Sequence, residues 1–382
     1  MGKLTVVVGG QYGSEAKGAV TAWLARLNKD EPTSVVRVAG PNAGHTAYDA
    51  TGKAWALRQV PVGLVSNLEA VGVIADGSEV DLPVLLDEID QLERGGIPVR
   101  QRLAISRHAT LLTDEHRNRE TGDGIAKRIG STGKGIGAAR ADRIMRTADT
   151  YNTVKAKGLT MEEFCRENYA DLGFRDLLDK LQIDFDDLFV SGSISEYLRE
   201  IAVMGFHIII EGTQGYGLGL HRPEYPQVTS SDTRAIDFCA MAGINPWDPG
   251  VDEFEVYVVV RAFPIRVAGN SGPLKDETTW EELGLPEERT TVTKKVRRVG
   301  GWDQVLFDQA VAANGGPRRV RVAYTMADQE VAALAGLQGN ANDLMSTMTQ
   351  EQVGAIGKII EKTRGLVTYV GTGPNSQITA MR

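Results

Sequence analysis

The chain has 382 residues, enough for one large α/β domain or two ordinary ones. Its 42% hydrophobic and 24% charged residues suit a folded globular protein, and no apolar run is long enough to span a membrane. A net charge of −8 excludes the broad basic face that coats nucleic acid, but not a nucleotide held by a few local cations. Residues 4–8 are a continuous apolar, β-branched run before Gly9 and Gly10, the pattern of a buried parallel strand. Val20, Trp23, Leu24 and Leu27 then fall at helical spacing. Further strands are expected at 35–38, 71–74, 206–210, 255–263, 319–323 and 366–370. Helical patterns cover 81–92, 161–164, 193–203, 302–312 and 352–363; Asp81 is the expected cap of the first, with Pro83 in its first turn. The two cysteines, Cys165 and Cys239, have no metal or disulfide spacing and read as reduced thiols of a cytoplasmic protein. The chain enters its first strand at once, so no signal peptide is expected.

Alternating strands and helices predict an α/β protein with a mostly parallel sheet. No repeat or linker divides the sequence, so a single domain over 1–382 is expected, with long substrate loops at about 41–60, 120–150 and 264–300.

Five constellations carry chemistry. The first is Gly9-Gly10-Gln11-Tyr12-Gly13-Ser14-Glu15-Ala16-Lys17-Gly18, between a strand and a helix, where main-chain N–H groups and the helix dipole favour a phosphate. It is not a standard phosphate loop: Ala16 stands where that pattern has glycine, and Gly18 where it has serine or threonine. The second, Asn42-Ala43-Gly44-His45-Thr46, follows a strand end, and His45 could donate to a developing negative oxygen. The third alternates glycines with hydroxyls (Gly130, Ser131, Thr132, Gly133, Lys134, Gly135), then Arg140, Arg143 and Arg146. The fourth is Glu211-Gly212-Thr213-Gln214-Gly215 with Thr229 beyond it, uncharged groups able to read a base or hold a phosphate. The fifth, Thr290, Thr291, Val292 and Thr293 followed by Lys294, Lys295, Arg297 and Arg298, suits a small carboxylate or a phosphate; alternatively it is a basic loop balanced by the acidic stretch 281–288.

In order and along essentially the whole chain, these motifs resemble the adenylosuccinate synthetase family. The resemblance implies a two-step ligase: a purine 6-oxygen attacks the γ-phosphate of a nucleoside triphosphate, and L-aspartate's amine then displaces the 6-phosphoryl group. It implies Mg²⁺ and the triphosphate at Gly13, Ser14, Glu15, Ala16, Lys17, Gly18, Gly44, His45 and Thr46, with Ser14 and Gly44 beside the metal. Asp328, Thr372, Gly373 and Pro374 would lie near the triphosphate's base. Lys17 and His45 would stabilise the transferring group, with Ser14 and Gln214 completing the catalytic set. Asn42, Ser131, Thr132, Gln214 and Thr229 would hold the purine monophosphate, and Arg146 would reach across a homodimer to the neighbour's nucleotide. Thr291, Val292, Thr293, Lys295 and Arg297 fall in the aspartate loop. The implied partners are small molecules, with no nucleic acid and no membrane.

Ser14 departs from the family, which has a catalytic aspartate there. Either the chain is a weakened relative, or its substrate differs at that point. The rest of the site is intact, which favours a substrate difference: a hydroxyl leaves room for a 2-amino group and can accept its hydrogen bond. The pattern looks like phage-encoded relatives that convert dGMP, L-aspartate and ATP to 2-amino-N6-succinyl-2′-deoxyadenylate for diaminopurine-containing DNA, which would place the chain in a host cytoplasm. IMP with GTP is the ordinary alternative, and a non-catalytic nucleotide sensor a further one. Glu15 is one candidate for accepting the N1 proton that the missing aspartate would have taken. Met326 replaces a lysine of the family's guanine-reading segment, favouring ATP over GTP. Lys295 replaces an arginine and loses its bidentate fork.

Overall fold

A computed structural model describes residues 1–27, 31–38, 40–122, 124, 128–290 and 294–379. They fall in two compact units. One comprises Met1–Thr5, Thr21–Gly212 and Ile236–Phe254; the other Val6–Val20, Thr213–Ala235 and Glu255–Arg382. The fold class is α/β with a mostly parallel sheet, as the sequence predicts.

In the first unit, strands His207–Glu211, Thr33–Arg37, Val71–Ile74, Leu103–Ser106 and Phe189–Val190 pair side by side, all parallel. His207–Glu211 and Thr33–Arg37 are buried throughout, as strands covered on both faces must be. Their register ends on the pair Glu211↔Arg37, so two charged side chains leave the sheet together at the strands' C-terminal ends. Helix Leu82–Arg94 buries Leu85, Leu86, Ile89 and Leu92 in the core that also contains Trp55, Leu64, Phe164 and Tyr169. Cys165 and Cys239 are buried free thiols whose pKa burial pushes up to about 12, so both are inert at neutral pH.

In the second unit, strand Val251–Arg261 pairs parallel with Val320–Thr325, and that strand with Val367–Gly373. Ser376–Thr379 folds back antiparallel on the last. The register of the first pair ends on Arg261↔Thr325, again at the C-terminal ends.

Strand Val71–Ile74 has the predicted limits, and the other predicted strands and helices lie within a few residues of theirs. Three expectations change. Residues 41–60 are not an open loop: His45–Tyr48 and Ala54–Leu57 form an antiparallel hairpin. Asp49 closes its turn by accepting from Thr51 N at 2.9 Å, Lys53 N at 3.0 Å and Trp55 Nε1 at 2.8 Å. Residues 120–150 include two helices, Asp114–Gly122 and Ile136–Met145, flanking the glycine-rich segment. Asp81 occupies the N-cap position but its side chain does not cap; the carboxylate pairs with Arg117 Nη2 at 2.7 Å. Among the described residues no helix is long and apolar enough to cross a membrane.

Candidate active site

Strand Gly2–Gly9 delivers the chain into the glycine-rich loop, and helix Lys17–Leu27 begins at Lys17. Between them Gly13, Ser14 and Ala16 adopt positive φ of 87°, 58° and 65°. Such left-handed residues fold successive N–H groups into an anion-binding nest. A carboxylate of the same loop fills it. Glu15 is fully buried and accepts from Gln11 N at 3.2 Å, Gly13 N at 2.7 Å and Lys17 Nζ at 2.6 Å. Lys17 also donates to the Gln214 carbonyl at 2.5 Å. Gly215 must be glycine here, because a Cβ would sit 2.5 Å from Glu15 Oε1 and 2.6 Å from the Gln11 carbonyl. Ser14 is exposed at the crest. Glu15, a candidate proton acceptor from sequence, faces inward with its donors already met.

The loop rests on Arg261, the last residue of its strand. Gln11 pairs with Arg261 through both side-chain atoms, accepting its N–H at 3.0 Å and donating to its carbonyl at 3.1 Å. The fully buried Arg261 guanidinium donates to the Ser14 carbonyl at 3.3 Å and to both oxygens of Glu288, at 3.1 and 2.5 Å. Thr325 Oγ1 donates to the Glu15 carbonyl at 2.9 Å. Burial pushes the Glu288 carboxyl up, but Arg261 and Arg297 outweigh it and hold the group below the usual carboxylate range. Glu288 and Arg297 also face each other across a narrow antiparallel ribbon: Arg297 N donates to the Glu288 carbonyl at 2.8 Å, and Arg289 bridges Val296. Thr291, Val292 and Thr293 lie outside the described residues. Lys295 is exposed and Arg297 half-buried.

In this same unit Thr229 is half-buried and its N–H donates to the Leu218 carbonyl at 2.7 Å. Asp328 lies half-buried on the short helix Ala327–Glu330, directly after strand Val320–Thr325. Thr372 is buried, donating to Leu337 O at 2.5 Å, while Gly373 and Pro374 emerge at the strand end and turn.

In the first unit, the strand-end pair Arg37 and Glu211 gathers His45 from the hairpin. Glu211 is 0% exposed, Arg37 2% and His45 7%. His45 Nδ1 lies against Glu211 Oε1, and Arg37 Nη1 is 3.4 Å from the same oxygen. Arg37 Nη1 also lies 3.0 Å from His45 Nε2, so the network assigns the ring's proton to Nδ1. Burial raises the Glu211 carboxyl, yet His45 and Arg37 overcome this and hold it at about 2. Arg37 Nη2 further donates to Ala43 O at 3.1 Å and Arg58 O at 3.0 Å, fixing both ends of the segment bearing Asn42, Gly44, His45 and Thr46. Gly44 and Thr46 are exposed and Asn42 half-buried. The hairpin's far side is held by Glu88, which accepts main-chain N–H groups of Arg58, Gln59 and Val60 at 2.6, 3.0 and 2.9 Å. Sequence reading passed over Arg37 and treated Glu211 only as part of a motif.

Gly130, Gly133 and Gly135 take left-handed φ of 69°, 67° and 82°. The buried Glu120 carboxylate pins their segment, accepting from Ser131 Oγ and Gly135 N. Ser131 and Thr132 are half-buried. Arg140 is committed to Glu79 through contacts of 2.7 and 3.2 Å. Arg143 and Arg146 are exposed at the end of helix Ile136–Met145, beside Ile144 and Met145, which are 72% and 70% exposed.

No cluster of three His, Cys, Asp or Glu able to hold a metal occurs among the described residues. Ser14 and Gly44, both exposed, can each offer an oxygen. Each offers a single oxygen, which suits a Mg²⁺ ion that arrives on phosphate oxygens and keeps water ligands more than an ion held by protein alone.

A family model described as adenylosuccinate synthetase matches residues 6–328. The chain is 32% identical over 380 residues to the adenylosuccinate synthetase of Methanocaldococcus jannaschii, covering 98% of this chain and 95% of that protein. It is 34% identical over 377 residues to that of Methanococcus aeolicus, covering 97% and 96%. Among solved structures it is similar to the cyanophage S-2L succinoaminodeoxyadenylate synthetase bound to dGMP and dATP, with TM-score 0.74 and 26% identity over 99% of this chain and 95% of that one. The Plasmodium falciparum adenylosuccinate synthetase shares the fold, with TM-score 0.76, 20% identity and coverage of 99% and 100%.

Proposed function

We propose that this chain, which belongs to the adenylosuccinate synthetase family and is a ligase that forms carbon–nitrogen bonds, joins L-aspartate to dGMP at the expense of ATP. The product would be 2-amino-N6-succinyl-2′-deoxyadenylate, formed through a 6-phosphoryl purine, with ADP and phosphate released. The observation that carries the reading is Ser14, exposed on a glycine-rich loop that keeps Glu15 and Lys17. Likeness to a phage enzyme solved with dGMP and dATP supports it. Identity of 32–34% to archaeal synthetases favours the alternative purine, IMP.

In the proposed mechanism Lys17 neutralises charge on the transferring phosphoryl group, and main-chain N–H groups of the loop donate to its oxygens. The phosphate must compete with Glu15 for Lys17, so the loop is charged and organised before substrate arrives. Glu211 holds the His45 ring by Nδ1, which leaves Nε2 as the atom offered to a phosphoryl oxygen once Arg37 yields it. Gln214 and Thr229 hold the purine monophosphate with Asn42, Ser131 and Thr132. The Ser14 hydroxyl accepts from the 2-amino group, and removal of the N1 proton falls to a group other than Glu15. Ser14 and Gly44 are the residues that would meet a Mg²⁺ ion brought by the triphosphate, which would neutralise charge on its phosphates. Lys295 and Arg297, with the hydroxyls of Thr291 and Thr293 and the main chain at Val292, receive the aspartate carboxylates. Met326, Asp328, Thr372, Gly373 and Pro374 frame the donor base, with adenine preferred. Arg146, exposed beside apolar neighbours, enters the partner's site in a homodimer.

Phosphate release is to be measured with Mg·ATP, L-aspartate and either dGMP or IMP. Turnover of dGMP is expected; turnover of IMP alone refutes the assignment. Ser14→Asp restores the family's carboxylate at a left-handed position that aspartate tolerates. It should lower kcat/KM for dGMP by at least about tenfold, the low end of the discrimination one misfitting group gives in a substrate site. Unchanged dGMP turnover would sink the steric account.

A further inference from the structure

The acidic stretch before the basic loop divides its charges unequally. Glu287 pairs locally with Arg289 at 2.5 Å, both more than half exposed, and such a contact contributes little. Glu282 caps Thr278 and Thr279. Glu288 is different. One of its neighbours is Arg261, which is fully buried and bound to the phosphate loop at the Ser14 carbonyl. Another is Arg297, 3.9 Å away across the ribbon that carries the proposed aspartate ligands. A single half-buried carboxylate therefore touches both the phosphate loop's support and the ribbon read as the aspartate loop.

We propose that Glu288 is a positioning residue that couples the dicarboxylate site to the triphosphate site. The proposal rests on the reading of the ribbon as the aspartate loop. The physical reason is shared charge. A substrate carboxylate arriving at Arg297 draws that guanidinium away from Glu288. Glu288 then binds Arg261 alone and tightens the contact that holds the Ser14 carbonyl. By linkage, a phosphate that fixes the loop makes Arg297 more available to a carboxylate. Glu288 acts only through these two arginines and touches no reacting atom.

The test is the interaction between substrates. In the wild-type chain the KM for ATP should fall severalfold as L-aspartate rises to saturation, and the KM for aspartate should fall likewise with ATP. In Glu288→Gln, the amide keeps size but cannot pair both arginines, and this mutual dependence should shrink to less than twofold. The KM for aspartate at low ATP should fall, because Arg297 is no longer shared with a competing carboxylate. Glu288→Asp, which keeps the charge, should restore part of the dependence. A merely structural role would lower the unfolding midpoint or the fraction of active enzyme and leave the ratio of KM values alone. An interaction factor in Glu288→Gln equal to that of wild type, or a wild-type enzyme whose two KM values are independent, overturns the proposal. Wild-type turnover of IMP instead of dGMP would refute the purine assignment only, since the comparison can be made with either purine. A basic-loop variant, Lys295→Ala plus Arg297→Ala, that leaves the KM for aspartate unchanged would refute the aspartate loop itself.

Discussion

Replacing Glu211 by glutamine tests the charged cluster at the strand ends of the first unit. The carboxylate is fully buried, with Arg37 and His45 nearly so. Its pKa of about 2 in the folded chain, against 4.5 ordinarily, corresponds to stabilisation on the order of 3 kcal/mol. Removing one partner of a buried pair gives an independent figure of about 3–5 kcal/mol, most of it the cost of stranding Arg37. The two estimates agree that Glu211→Gln should lower the urea midpoint markedly at pH 7. The sign with pH follows from the direction of the shift. A depressed carboxyl stabilises fully above its unfolded pKa of 4.5 and loses that contribution as pH falls through the folded value near 2. Urea unfolding of wild type and variant, from pH 7 to the lowest pH at which the wild type stays folded, should show the difference constant at the upper end and closing below about 5. A difference under about 1 kcal/mol at pH 7, or one that does not move with pH, would refute the argument that ion pairing outweighs desolvation here.

Ala16 holds a φ of 65°, where a Cβ costs about 1–2 kcal/mol and glycine's extra unfolded freedom returns about half of that. Ala16→Gly should therefore stabilise by up to about 1 kcal/mol in urea unfolding, and a loss of stability would contradict the strain. Arg146→Ala should raise the KM for the purine monophosphate about tenfold while leaving the unfolding midpoint unchanged, because the side chain is exposed. Sedimentation showing a monomer at assay concentration would remove the basis of that expectation.

Strand Val71–Ile74 was legible because its apolar run is short, largely β-branched and closed by Ala75, Asp76 and Gly77. The hairpin was not, although its buried positions alternate as His45, Ala47, Trp55 and Leu57. Alanines carry a weak strand signal, and the turn between the arms is long and polar. Leu103–Ser106 and Phe189–Val190 are too short to show a period and gain their identity from neighbours already in place. The candidate site was legible as motifs but not as partnerships. Arg37 meets Glu211 through strand register across a separation no local pattern encodes. Glu15 turns inward because Gly13, Ser14 and Ala16 are left-handed, a property of the folded loop. Glu288 looked like one charge among several until Arg261 was found buried beneath it.

Two of the buried arginines, Arg37 beside Glu211 and Arg261 beside Thr325, are the terminal registered residues of their strand pairs. A shift of one residue in either pairing would send every side chain of the strand to the opposite packed face, so the fit of the core keeps these cations where they are. Ser14, on an exposed loop position, is under no such register constraint. A substitution there can change what the loop presents to solvent while both strand pairings, and the cations they carry, stay as they are.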